Sequence, residues 1–125
     1  MAGDFYVVES YPNNLASGVY RDVVPWVKFN RPVNTTTVND TTVVLAESST
    51  IEAIPCTYTY YEDTYKIAIR PSGNLKSFTE YTLFVAGEQE DYEEFGGVRD
   101  VDNNPLENNY VIIFYTGDKT STSPT

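Results

Sequence analysis

The segment Tyr110-Val-Ile-Ile-Phe-Tyr-Thr116 is the most apolar run in the chain, and both of its faces are hydrophobic. Side chains along a strand alternate between two sides. Tyr110, Ile112 and Phe114 therefore share one face, and Val111, Ile113 and Tyr115 share the other. One set can fill a core. The other needs cover, from elsewhere in the chain or from another molecule. The same period of two recurs upstream. In Trp26–Phe29 it turns Val27 and Phe29 inward and Trp26 and Lys28 outward. In Tyr65–Arg70 it sets Tyr65, Ile67 and Ile69 against Lys66, Ala68 and Arg70, and in Tyr81–Ala86 it sets Tyr81, Leu83 and Val85 against Thr82, Phe84 and Ala86.

Phe5–Val8, Thr42–Ala46 and Ile54–Tyr61 are shorter runs of strand formers. The connections carry turn residues: Tyr11–Asn14, Asn34–Thr37, Glu47–Thr50, Glu62–Thr64, Pro71–Asn74 and Asp100–Pro105. Val38 anchors one crossing, and Leu75 with Phe78 is expected to plug the bottom of the fold. Seven short strands with turns every eight to twelve residues predict an all-β, immunoglobulin-like β-sandwich of about seven antiparallel strands. The domain is placed at residues 1–117, and residues 118–125 are a polar Thr/Ser tail too poor in apolar surface to order itself.

Charge narrows the partners. With 8 basic against 18 acidic residues the net charge is -10, which repels nucleic-acid backbones and anionic membranes. The chain has no histidine, so the commonest general base and metal ligand are missing. One cysteine, Cys56, allows no internal disulfide and falls in strand context, where a small buried hydrophobe is expected. A base beside a nucleophile is nowhere visible. No catalytic residue and no cofactor is assigned, and the chain is not expected to be an enzyme.

Four features carry candidate chemistry, each beside a plainer reading. Asp100, Asp102 and Asn104 have the alternate spacing of calcium-loop oxygens, but Pro105 replaces the required Gly and Val111 the bidentate acid, and Asp and Asn also simply make turns. Glu88–Glu94 is a solvated acidic loop or a docking loop for a basic neighbour. Asn34-Thr-Thr36 and Asn39-Asp-Thr41 fit the glycosylation sequon, and chance explains them as well. Trp26, Tyr58, Tyr60 and Tyr61 form either an aromatic platform for weak glycan binding or, in part, core.

Val8-Glu-Ser-Tyr-Pro12, Val19, Val27-Lys-Phe-Asn-Arg-Pro-Val33, Ile69-Arg-Pro71 with Leu75 and Tyr81-Thr-Leu83, Val98 through Leu106, and Phe114-Tyr-Thr116 together resemble the bacterial Ig-like domains of the Big_5 or SbsD-like type. The resemblance spans about residues 5–116. It implies a stalk, spacer or decoration role rather than an activity, in secreted and cell-surface proteins or on phage capsids and tails. Where that family often has Gly before Asn, this chain has Asn103, which can take the same left-handed conformation.

The expected function is therefore a structural and interaction module. The first reading is a decoration or accessory protein on a phage head or tail, because the N-terminus lacks the basic and apolar regions of a signal peptide and virions assemble inside cells. The second is a spacer or adhesion module of a bacterial cell-surface protein, and the third a carbohydrate-binding module. The expected partner is a protein: capsid, tail or another copy of the chain. Phe84, Val111, Ile113 and Tyr115 are the expected contact residues, with the acidic loop as rim or as a flap folded over them. Tyr81 is expected to be a tyrosine corner, its ring in the core and its hydroxyl tied to backbone near Leu75 to Phe78.

Overall fold

The computed structural model describes residues 5–50, 52–87 and 97–120. Its strands are β1 (Val7–Tyr11), β2 (Ala16–Val19), β3 (Trp26–Phe29), β4 (Val43–Glu47), β5 (Glu52–Ala53), β6 (Cys56–Tyr61), β7 (Lys66–Pro71), β8 (Glu80–Val85) and β9 (Tyr110–Thr116). They form a four-stranded sheet in the order β1-β3-β7-β6 and a five-stranded sheet in the order β2-β9-β8-β4-β5. Among the described residues the helical content is a single 3-10 turn, Thr35–Thr37. The expected immunoglobulin-like sandwich is the fold.

The alternation sorts side chains as anticipated. Val27, Phe29, Ile67 and Ile69 from one sheet meet Val43, Leu45, Tyr81, Leu83, Val85, Ile112 and Phe114 from the other, all buried. Phe5 stacks on Phe29 at 5.2 Å and Tyr81 on Phe114 at 5.8 Å between ring centroids. Tyrosine hydroxyls then close the core, Tyr58 and Tyr110 reaching from one sheet to the other and Tyr60 to the segment after β3. Tyr58 Oη donates to Val43 O at 2.7 Å, Tyr60 Oη accepts from Val33 N at 2.9 Å, and Tyr110 Oη shares a 2.7 Å hydrogen bond with Ser10 Oγ.

The tyrosine corner is present. Tyr81 is buried, and its hydroxyl accepts a 2.8 Å hydrogen bond from Lys76 N. Asn103 takes the left-handed backbone, φ 69°, that its position in the turn required. Val38 packs against the core, and so does the half-buried Cys56.

Four details differ from expectation. Two short strands are added, and β2 pairs parallel with β9, Ala16 opposite Phe114 and Val19 opposite Thr116. Ala-Ser-Gly-Val has no alternation to announce it; docking beside β9 makes it a strand. Leu75 does plug the bottom, bonded to Arg21 through backbone and guanidinium. Phe78 does not: it is 78% exposed on a left-handed backbone, φ 49°, with its N–H donating to Gly117 O. Ala86 is buried rather than outward because the chain at Gly97–Val98 returns over it, Val98 N donating to Ala86 O at 3.0 Å. At the C-terminal end Arg21 N donates to Lys119 O, so the chain stays tied to the domain past β9.

Candidate docking surface

The outer face of the five-stranded sheet is built from the side chains that alternation expels from the core. Register aligns them in rows. Val44, Phe84 and Val111 lie opposite one another across β4, β8 and β9, and Ala46, Thr82 and Ile113 form the next row. A third row is more polar: Glu80 pairs with Tyr115, and Ser48 Oγ shares a 2.7 Å hydrogen bond with Thr82 Oγ1. Apolar character is therefore concentrated at the Val44 end of the sheet. Val111 is 47% exposed and Tyr115 37%, while Phe84 and Ile113 are half-buried by their neighbours.

Small residues between large ones give the face relief. Ala46 and Thr82 leave a hollow of about 330 Å³ beside Phe84, bordered by Val44, Glu47 and Ser48. Leu15 adds to the far side. Its N–H donates to Ile113 O, and Asn14 Oδ1 accepts from Ile113 N at 2.9 Å, which pins the Asn14–Leu15 turn along β9. Leu15 is 62% exposed with φ 67°, a conformation that costs a leucine about 1 kcal/mol or more. The structure thus brings together all four contact residues expected from the sequence, Phe84, Val111, Ile113 and Tyr115, and adds Val44, Ala46 and Leu15. Val44 had a signal: Thr42-Val-Val-Leu-Ala46 is apolar at both parities, like β9. Leu15 had none. The acidic segment Glu88–Glu94, expected as rim or flap, lies outside the described residues.

The calcium-like loop and the two sequons are structural elements of the fold, and the aromatic platform is divided between core and surface. Asp100 is buried, and its carboxylate accepts from Asp102 N at 3.0 Å, Asn104 N at 2.8 Å and Asn104 Nδ2 at 3.0 Å. It organises the turn rather than facing a cavity, and Asp102 points to solvent. Among the described residues no cluster of three metal-ligating acids, cysteines or histidines exists. The two sequons are turns closed by their asparagines: Asn34 Oδ1 accepts from Thr36 N, and Asn39 Oδ1 from Thr41 N. The aromatic platform splits, since Tyr58 and Tyr60 turn inward and only Trp26 and Tyr61 face out.

Burial pushes the Cys56 thiol up to about 11 from an ordinary 9.0, and the Tyr58 hydroxyl to about 12 from 10.0, in Tyr58 with a smaller contribution from the nearby Cys56 and Asp40 charges. Both groups are stabilised in their neutral forms by folding. Their contribution is full below the unfolded values and is lost as pH rises through the folded ones. The melting temperature is expected to hold to about pH 9 and fall from there to about pH 12. Tyr58→Phe should flatten the upper part of that fall and cost about 1 kcal/mol at neutral pH through the lost bond to Val43 O. Equal alkaline losses in both proteins would remove Tyr58 as their source.

The family model for the bacterial Ig-like domain, Big_5, matches residues 3–116. The chain belongs to that family. Solved structures agree at the level of fold. The N-terminal part of the bacterial S-layer protein SbsC superposes on 93% of this Ig-like domain with a TM-score of 0.63 at 14% identity, and the match covers 24% of that chain. CopC from Methylosinus trichosporium superposes on 97% with a TM-score of 0.67 at 10% identity, covering 99% of CopC. PcoC, a methionine-rich copper resistance protein from Escherichia coli, superposes on 91% with a TM-score of 0.66 at 10% identity, covering 99% of PcoC. The Ig-like domain spans a quarter or less of the S-layer chains it resembles. No curated protein sequence matches it. Among its described residues no helix is long and apolar enough to cross a membrane.

Proposed function

We propose that this Ig-like domain is a non-enzymatic structural module that docks into a bacterial cell-surface assembly through the outer face of its five-stranded sheet. The observation that carries the proposal is the row Val44, Phe84 and Val111, open to solvent beside a hollow of about 330 Å³. An apolar row flanked by a concavity and a polar border has the anatomy of a protein interface. The occupant is a protein surface that is apolar at its centre and basic at its rim. A net charge of -10 makes two copies of this domain repel each other, whereas it draws a basic partner.

Family membership and the likeness to S-layer domains favour a cell-surface location. The same face would serve a decoration protein on a phage head or tail, but the S-layer likeness supports the cell envelope. The likeness to CopC and PcoC is carried by the fold alone. This chain has one methionine, one cysteine and no histidine, so few of the side chains that suit copper are present.

Val111→Asp tests the docking face. The site is half-exposed on a regular strand, so the isolated domain should melt within a few degrees of the parent. In cells carrying the variant gene, the protein should be lost from the envelope fraction. Retention there, with the isolated domain folded, would reject this face.

A further inference from the structure

The opposite side of the sandwich carries a second surface of different chemistry. On the outer face of the four-stranded sheet, Tyr61, Lys66, Lys28 and Glu9 are cross-strand neighbours in one row, and Thr59, Ala68, Trp26 and Tyr11 in the next. Arg70 lies opposite Thr57 in the row beyond. Ala68 is small, so it forms the floor of a groove of about 470 Å³. Trp26 walls one side and Tyr61 the other, with Lys66, Arg70, Asp63 and Thr64 supplying polar groups. That volume is typical of small-ligand sites.

Charge sorts the ligand. Three of the 8 basic residues stand on this face in a chain with 18 acidic ones. Lys28 and Lys66 are directly opposed, an arrangement that destabilises a sheet unless something negative offsets it. Glu9 stands on the other side of Lys28, yet among the described residues no carboxylate forms an ion pair with Lys28, Lys66 or Arg70. Lys66 instead rests its ammonium 4.1 Å from the centre of the Trp26 ring, whose other neighbour is the stacked ring of Tyr11. Tyr61 is 50% exposed and its ring is the open aromatic wall.

We propose that this groove binds a glycan bearing more than one carboxylate, with a sugar ring against the open face of Tyr61 and separate carboxylates held by Arg70 and by Lys66. A guanidinium matches a planar carboxylate with two parallel hydrogen bonds. Lys66 and Arg70 are four residues apart on one strand, about 13 Å, so a chain of sugars lying along β7 meets a cation at each end. Asp63 and Thr64 separate this ligand from an acidic peptide: they offer partners to sugar hydroxyls, which a run of glutamates lacks.

Trp26 is the chain's single tryptophan and therefore a reporter built into the groove. The folded domain is titrated with trigalacturonate, with its neutral methyl ester and with hexaglutamate, following Trp26 fluorescence. Trigalacturonate should saturate the signal, with binding at least about tenfold weaker for the ester and for Arg70→Ala, the loss of one charged contact. Added salt should weaken it further. Arg70 is exposed, and an unchanged melting curve establishes that Arg70→Ala is folded. Val111→Asp, on the opposite face, should bind as the parent does, so a failure of the docking face leaves this test intact. Equal binding of acid and ester, hexaglutamate binding as tightly as the sugar, or no response to any of the three at millimolar concentration would each overturn the proposal.

Discussion

Replacing Tyr81 by alanine is expected to cost about 3–5 kcal/mol, the range for emptying an aromatic-sized space in a packed core. Tyr81, on the central strand β8 of the five-stranded sheet, is 1% exposed and stacks on Phe114 of the neighbouring β9. Its hydroxyl also holds Lys76 N, in the segment that crosses from one sheet to the other. Thr116 reinforces that segment, donating from Oγ1 to Lys76 O at 2.6 Å. The two parts of the side chain can be separated. Tyr81→Phe keeps the ring and orphans one donor, so it should cost about 1–2 kcal/mol. Domains of this size have 5–15 kcal/mol in all, so the alanine variant should lie close to unfolding at 37 °C. Urea titration of the three proteins measures both differences, and a Tyr81→Ala loss below about 1 kcal/mol would contradict the corner's role.

Gly97→Ala is the second large effect. A β-carbon at Gly97 would lie 2.1 Å from Ala86 O, 2.5 Å from Ala86 C and 2.8 Å from Gly87 O, all backbone atoms that cannot rotate away. The two chains must part, and the hydrogen bond from Val98 N to Ala86 O goes with them. A cost of roughly 3 kcal/mol is expected, at the upper end for overpacking because the obstacle is main chain. Val98 and Ala86 are both buried, so water would enter where they separate. The check is hydrogen exchange at the Val98 amide together with the urea midpoint. An amide as protected as in the parent would show that the strands do not pack as described.

Both sites bear on what a single sequence discloses. Alternation disclosed the faces of β3, β7, β8 and β9, since a buried strand with one solvated side leaves no other register. It also disclosed Tyr81 and the left-handed turn at Asn103, because each rests on local chemistry. Features set by distant chain were hidden. Ala86 continues the outward parity of Phe84 and is buried only because Gly97 arrives from eleven residues downstream. Phe78 looked like a core plug by composition, yet its backbone sits in the left-handed region and turns the ring out. β2 is a strand only because β9 lies beside it.

The candidate surfaces divide the same way. Phe84, Val111, Ile113 and Tyr115 were legible because two apolar parities on one strand leave a second face to cover. Leu15 was not, since its place depends on Asn14 and Leu15 bonding to Ile113 across almost a hundred residues. The tyrosines of β6 were ambiguous by nature. A tyrosine suits both a core, through its ring, and a surface, through its hydroxyl. Only the bonds of Tyr58 to Val43 O and of Tyr60 to Val33 N assign them inward, leaving Tyr61 outside.

The docking claim is tested most directly by hydroxyl-radical footprinting of the protein in the isolated cell-envelope fraction, against the same protein purified alone. Docking through the five-stranded sheet predicts strong protection of Phe84, Ile113 and Tyr115 in the envelope, with Tyr6, exposed next to β1 of the four-stranded sheet, labelled equally in both. Equal labelling of Phe84 and Tyr115 in the two samples would contradict it.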